Sequence, residues 1–219
     1  GESLVIRDQT PTTVKIRYLS GHQQMLRVDQ EVTAPITAAL ESEILEKLQQ
    51  KIPEANALIL SDYGKGCLTK TIINTAISLA NAHNIPVLVD PKGADYSKYK
   101  GATLVTPNRK ELAEATNNAP TETDNEIVIA AESLIRQSGV KAVIATRSQD
   151  GMSIIAQKED GENFERPYHL RTHAREVFDV SGAGDTVIAT IAASLATGAA
   201  LLEAASLANI AGGIVVGKV

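Results

Sequence analysis

The sequence is poor in residues that several large classes of protein depend on. There is one cysteine, Cys67, in 219 residues, which excludes an internal disulfide framework and a cysteine-rich zinc site. Tryptophan is absent and aromatics make up 3% of the chain, so there is no stacking platform for single-stranded nucleic acid. Basic residues number 21 against 26 acidic ones, a formal net charge of −5, the reverse of what phosphate neutralisation asks for. The opening stretch GESLVIRDQT lacks the basic and apolar regions of a signal peptide. It also lacks an initiator methionine, the expectation for a fragment or a processed chain. A reducing cytoplasm is the simplest compartment for so little cysteine. The longest weakly charged segment, Val187 to Val216, is broken by Gly198, Gly212 and Gly213 and carries Glu203. It reads as two buried Ala-rich helices rather than a membrane span.

Motifs are missing too. The sequence has no G-x-x-x-x-G-K-[ST] loop, no G-x-G-x-x-G after a strand and no G-x-S-x-G elbow. These absences disfavour a standard P-loop NTPase, an ordinary dinucleotide-binding domain and an α/β-hydrolase. The four histidines show no metal-ligand spacing, and Cys67 reads as a small buried hydrophobe.

What is present is a rhythm. Residues 12–19 partly alternate apolar and charged side chains, Ser20-Gly21-His22 is a turn, and 24–29 read as the returning strand. Leu40, Ile44, Leu45 and Leu48 mark an amphipathic helix over 37–50. Short apolar strands then alternate with helices. Strands fall at 57–60, 86–89, 104–105 and 142–145, with a helix capped by Thr69, a short one after Asn108 and another over 124–137. Uniformly apolar strands between helices predict a parallel sheet covered on both faces. Residues 152–156 and 163–170 predict an antiparallel pair, and helices at about 184–198 and 201–217 close the chain. Polar loops follow the strands: SDYGKG (61–66), DPKG (90–93), TPNRKE (106–111) and TRSQDG (146–151). In an open parallel sheet, ligands bind beyond the carboxyl ends of the strands, so these loops predict one shared site.

The sharpest local signal is Asp179-Val-Ser-Gly-Ala-Gly-Asp185-Thr186, placed directly before an apolar helix. Gly182 and Gly184 allow a tight turn and close approach of the backbone to a ligand. The amides of Gly182, Ala183 and Gly184 at a helix start favour anionic oxygens. Asp185 reads two ways: a carboxylate that complements the helix dipole, or a general base beside a phosphate cradle.

DVSGAGDT resembles the D-T-x-G-A-G-D signature of the ribokinase/phosphofructokinase-B carbohydrate kinases, and the four loops follow in that family's order and spacing. The resemblance covers nearly the whole chain. Within the family, SDYGKG, VDPKG, TPNRKEL, ATRSQDGMS and the last helix pair are similar to the D-glycero-β-D-manno-heptose 7-phosphate kinases. The fold this implies is a ribokinase-like three-layer α/β sandwich with a mostly parallel central sheet. A small β-hairpin lid would occupy residues 1–32 and the core 33–219. The family's N-terminal sugar-binding segment and its last helix have no counterpart here, so the resemblance implies a fold truncated at both ends. Position 181 is Ser where the family usually has Thr, which keeps the hydroxyl.

The activity implied is ATP-dependent phosphorylation of the anomeric hydroxyl of heptose 7-phosphate, a step toward ADP-heptose for lipopolysaccharide. Alternatives within the fold are a kinase for another phosphosugar or a nucleoside; outside it, a non-catalytic nucleotide-binding fragment. By resemblance Asp185 is the base and the amides of Gly182, Ala183 and Gly184 the anion hole. Asn108 and Glu111 match an N-x-x-E motif in which the carboxylate holds Mg²⁺ through water; Asn108 also reads simply as a helix cap. Arg109, Lys110, Thr146, Arg147, Gly151 and Asn209 border ATP, although Arg109 and Lys110 also read as surface cations, Thr146 to Gly151 as a plain turn and Asn209 as a core amide. Asp179 and Ser181 are candidates for a monovalent-cation site, K⁺ in the family. For the 7-phosphate, Lys92 comes first, then Arg27, with Lys15 and Gln24 on the same hairpin; a charged hairpin face also reads as merely solvated. Asp62 binds a sugar hydroxyl or stabilises its own turn. Further expectations are a homodimer through the lid sheet, an adenylyltransferase domain fused in the parent protein, and no contact with nucleic acid or membrane.

Overall fold

The computed structural model describes residues 4–7, 10–21, 23–172 and 182–217. Strands β1 (Val14–Ser20) and β2 (Gln23–Gln30) form an antiparallel hairpin. Gly21 takes the left-handed turn position, φ 58°, which a side chain would disfavour. Cross-strand pairing puts Lys15 opposite Asp29 and Arg17 opposite Arg27, while Ile16 faces Val28 and Tyr18 faces Leu26. Alternation therefore gives one charged face and one apolar face. No residue of either strand is buried.

Helix α1 (Ala38–Lys51) is capped by the Thr37 hydroxyl and leads to the core. The core begins with β3 (Leu58–Ser61), α2 (Lys70–Ala82), β4 (Val87–Asp90) and β5 (Leu104–Val105). It continues with α3 (Arg109–Ala115), α4 (Asp124–Ser138), β6 (Ala142–Thr146), β7 (Met152–Ala156) and β8 (Tyr168–Leu170). Helices α5 (Ala183–Ala196) and α6 (Leu201–Val216) complete it. The sheet runs β3-β4-β5-β6-β7-β8; β3 to β6 are parallel, and β7 and β8 are antiparallel to their neighbours.

Strand alternation splits the apolar residues between two cores. Val87, Val89, Val105 and Val143 join Ile73, Ala76 and Ile77 of α2 and Ile127, Leu134 and Ile135 of α4. Leu88, Leu104 and Ile144 point the other way, to Val187, Ile188 and Ile191 of α5 and the alanines of α6. This is the expected sandwich of helix, sheet and helix. Close packing of the last two helices depends on Gly212, where a Cβ would come 3.1 Å from the Val187 side chain.

Two expectations need correction. The strand foreseen over 163–170 is confined to Tyr168–Leu170, with only an isolated bridge from Phe164 to Gln157. The apolar run of β3 is not covered on both faces: Leu60 is buried, but Ile59, on the terminal strand of the sheet, is 39% exposed. Among the described residues no helix is long and apolar enough to cross a membrane.

Candidate functional site

Backbone bonds draw the polar loops together at the carboxyl ends of the parallel strands. The Asp62 amide donates to the Asp90 carbonyl (2.9 Å), that of Thr106 to Val89 (3.0 Å) and that of Thr146 to Pro107 (2.9 Å). Side chains add to this. Lys92 Nζ lies 3.3 Å from Glu111 Oε1 and Arg109 pairs with Asp150, so each loop is tied to the next.

Helix α5 starts at this end of the sheet. Gly182 is its N-cap in the left-handed conformation (φ 76°), and among the described residues no side chain caps the turn. The first helical bond runs from the Thr186 amide to the Gly182 carbonyl, 2.9 Å. The amides of Ala183 and Gly184 therefore have no partner within the helix and carry the positive end of its dipole. A Cβ at Gly184 would meet open space. Asp185, in this first turn, is exposed, and its Oδ1 accepts a hydrogen bond from the Tyr63 hydroxyl at 3.4 Å.

Asp185 stands between two cavities. One, of about 400 Å³, is bounded by Thr146, Gly151, Ala183, Gly184, Asn209 and Gly212. The other, of about 500 Å³, lies between the hairpin and the loop after β3 and is bounded by Lys15, Asp62, Tyr63, Lys65 and Cys67. Ala183 and Gly184 wall the first and Tyr63 walls the second.

The residues singled out from sequence divide on inspection. Asn108 and Glu111 form a complete capping box on α3. The Glu111 amide donates to Asn108 Oδ1 (2.9 Å), and Glu111 Oε2 accepts from the Asn108 amide (3.1 Å). The box leaves Oε1 to Lys92 and orients the carboxylate toward the site. Lys92 is half exposed at the ammonium end, while its backbone amide donates to the Tyr99 hydroxyl at 3.1 Å. Lys110 points into solvent beside Glu114. Asn209 is buried and donates to the Arg171 carbonyl at 2.7 Å, and it also lines the smaller cavity. Gly151 is fixed by its surroundings: φ is 83° and a Cβ would fall 1.9 Å from the Leu170 carbonyl oxygen.

Other residues depart from expectation. Arg147 does not face the cavity its loop borders. Its guanidinium is buried, paired with Asp124, and donates to Ser153 Oγ at 3.1 Å. It braces α4 against β7 instead. Asp62 is 6% exposed, and Gly64 N (2.8 Å), Lys98 Nζ (2.7 Å) and Tyr99 Oη (2.6 Å) all donate to it. Burial alone would raise its carboxyl; the bonds from Lys98, Tyr99 and Gly64 outweigh that and hold it below the ordinary carboxylate value. Its turn role is thus realised. Arg27 pairs with Asp29 along its own strand (2.9 Å), and neither it nor Gln24 lines the larger cavity, whereas Lys15 does. Cys67 is exposed, not buried. Asp179 and Ser181 lie outside the described residues.

Three residues of the site escaped the sequence reading. Asp90, at the end of β4, is pushed up to about 6 by burial and by the neighbouring carboxylates of Glu111 and Asp185. Tyr63 reaches Asp185 across the sheet edge. Both stand inside loops already noted, so their position was signalled and their chemistry was not. Lys98 carried no signal at all: it bonds Asp62 and the Lys92 carbonyl (2.9 Å) only because the chain returns there.

This arrangement, six strands with helices on both faces and glycine-led α5 opening onto the loop crevice, is a ribokinase-like α/β sandwich. The structure of Arabidopsis thaliana ribokinase complexed with ribose and ATP superposes with a TM-score of 0.69 at 21% identity, over 88% of this chain and 60% of that one. The pfkB family carbohydrate kinase model matches residues 2–219, and the chain belongs to that family. It is 51% identical over 216 residues to the bifunctional protein HldE of Paramagnetospirillum magneticum, covering 99% of this chain and 43% of that protein. With the bifunctional protein HldE of Rhodospirillum rubrum it shares 50% over 214 residues, 98% of this chain and 42% of the relative. The chain thus spans about two-fifths of the length of these curated relatives.

Proposed function

We propose that this chain is the kinase part of a protein that transfers the γ-phosphoryl group of ATP to the anomeric hydroxyl of D-glycero-β-D-manno-heptose 7-phosphate, giving the 1,7-bisphosphate. The observation that carries the reading is the place of Asp185, between a small-residue cavity beside α5 and α6 and a lysine-bearing cavity under the hairpin. The first suits a nucleotide, with its phosphates at the amides of Ala183 and Gly184. The second suits a phosphorylated sugar, with Lys92, Lys15 and Lys65 as cations near it. Asp185 accepts the hydroxyl proton as the sugar oxygen attacks the γ-phosphorus and the β–γ bridge oxygen leaves with ADP. The amides stabilise charge on the group in flight. The motifs SDYGKG, VDPKG and TPNRKEL support heptose 7-phosphate as the acceptor.

The site suits Mg²⁺ with ATP. Burial first, and then the carboxylates of Glu111 and Asp185, raise Asp90, and among the described residues Lys92 is the one ion-pair partner of Glu111. Among the described residues no three carboxylate, histidine or cysteine side chains are grouped to grip a metal directly, so Glu111 would hold it through water. When bound, the ion neutralises phosphate charge. The exposed apolar face of the hairpin, with Ile16, Tyr18, Leu26 and Val28, supports a homodimer through the lid. The greater length and the bifunctional name of the relatives support a second domain in the parent protein, for which we propose the adenylyltransferase.

The test is ³¹P NMR of the full-length protein with Mg-ATP and heptose 7-phosphate. A new anomeric phosphate resonance, lost in Asp185→Asn, is expected. Transfer to a different sugar alone, or none from a folded, ATP-binding protein, overturns the assignment.

A further inference from the structure

The strand-end network leaves one contact that the transfer reaction as described does not use. Tyr63 reaches Asp185 Oδ1 with its hydroxyl (3.4 Å), and the Lys15 ammonium of the hairpin lies 5.8 Å from the centre of its ring. We propose that Tyr63 is a positioning residue that orients the Asp185 carboxylate and ties that orientation to the seating of the hairpin. The inference rests on Asp185 being the base.

The backbone on either side of Tyr63 is held firmly. Asp62 before it receives bonds from Lys98 and Tyr99, and Gly64 after it bonds back to Asp62 Oδ1 at 2.8 Å. A phenol on so fixed a stem has little freedom beyond its own two torsions. Asp185 has the opposite character: it is exposed, in the first turn of a helix, and among the described residues Tyr63 is its one side-chain hydrogen-bond partner. A carboxylate in that position samples several rotamers, and few of them present a lone pair to an incoming hydroxyl. A donor on Oδ1 selects one orientation and leaves Oδ2 to take the sugar proton. Tyr63 keeps its own proton throughout. The bond is long here, as catalytic hydrogen bonds often are before substrate binds.

The ring has a second role. Its attraction for the Lys15 ammonium is a side-chain contact between the hairpin and the wall of the larger cavity. A hairpin seated over a sugar therefore presses on the same side chain that orients the base. Acceptor closure and base alignment become one event, with water excluded from both.

The test compares Tyr63→Phe, Asp185→Asn and the double variant in the full-length protein, with radiolabelled ATP so that residual turnover is read. Tyr63→Phe keeps the ring and removes one exposed oxygen. Its kcat is expected to fall about 10- to 20-fold, the lower end of what one hydrogen bond to a charged group contributes, because this bond is long. KM for ATP should stay within about 2-fold and the melting temperature should not move, because the ring still packs and binding is not its role. On the Asp185→Asn background, Tyr63→Phe should cost nothing further, since it acts through Asp185. A wild-type kcat for Tyr63→Phe, or losses that multiply in the double variant, overturns the inference while leaving the base in place. An Asp185→Asn protein that keeps its activity overturns the base and this inference together.

Discussion

The two cavities beside Asp185 are built by opposite means. The one between α5 and α6 and the loop after β6 is shaped by side chains that are absent. Gly151 has a carbonyl 1.9 Å from where a Cβ would sit, Gly212 lets α6 approach Val187, and Gly184 opens onto free space. The one beneath the hairpin is shaped by side chains that are present: Lys15, Tyr63 and Lys65, with Glu31 pairing Lys65 from the hairpin side. The first wall is partly rooted in the packed core, with Gly151, Asn209 and Gly212 buried. The second leans on a two-stranded sheet with no buried residue. A wall of backbone holds one shape and suits the invariant reactant. A wall of polar and charged side chains suits a reactant that must be selected and then enclosed.

That contrast can be broken from either side. Gly151→Ala should have the largest effect. A methyl group at φ 83° against a carbonyl 1.9 Å away cannot be absorbed without moving β8, so a loss of at least about 3 kcal/mol of stability is expected by denaturant unfolding. A variant as stable as the parent would show that this wall is soft. On the other side, Lys92→Met should leave stability alone and raise KM for the phosphosugar about 10-fold, since an exposed ammonium contributes binding rather than packing. Steady-state kinetics with ATP saturating read this directly, and an unchanged KM would remove Lys92 from the acceptor side.

The smallest effect concerns the acids between the cavities. Asp90 is raised to about 6 in the fold from the ordinary 3.8. The folded state therefore binds its proton more tightly than the unfolded chain does. Stability falls as pH rises from about 4 to 6, and the deficit persists above that. Asp90→Asn removes the charge that burial and its neighbours oppose. It should stabilise the metal-free protein by about 1–2 kcal/mol at pH 7.5, after allowance for solvent screening, and by almost nothing at pH 4. Equal gains at both pH values would contradict the assignment.

Much of this architecture was legible in the chain because local chemistry specified it. Thr69 followed by Ile72, Ile73, Ala76, Ile77 and Ala80 is a capped helix with one buried face, and α2 buries those five residues. Asn108, which reads as a helix cap, caps α3, and Glu111 returns the bond to complete a capping box. What could not be read depends on where distant segments meet. Arg147 reads as part of a loop bordering ATP or of a plain turn; the fold makes it a buried brace because α4 brings Asp124 to it. Asp62 reads as stabilising its own turn or binding a sugar hydroxyl; its bonds to Lys98 and Tyr99, more than thirty positions away, carry no local signal. The exposure of Ile59 follows from strand order, which an apolar tetrapeptide does not encode. The raised Asp90 follows from its burial and from Glu111 and Asp185 being brought close to it by other elements.

The account stands on Asp185 serving transfer and not binding, because it lies between the cavities rather than in either. Asp185→Asn in the full-length protein measures this most directly, with ATP and phosphosugar affinities from calorimetry set beside the rate of transfer. Both affinities should stay within about 3-fold of the parent while transfer falls about 10²- to 10⁴-fold. A loss of affinity as large as the loss of rate would contradict it, and would make Asp185 a ligand-binding or structural group instead.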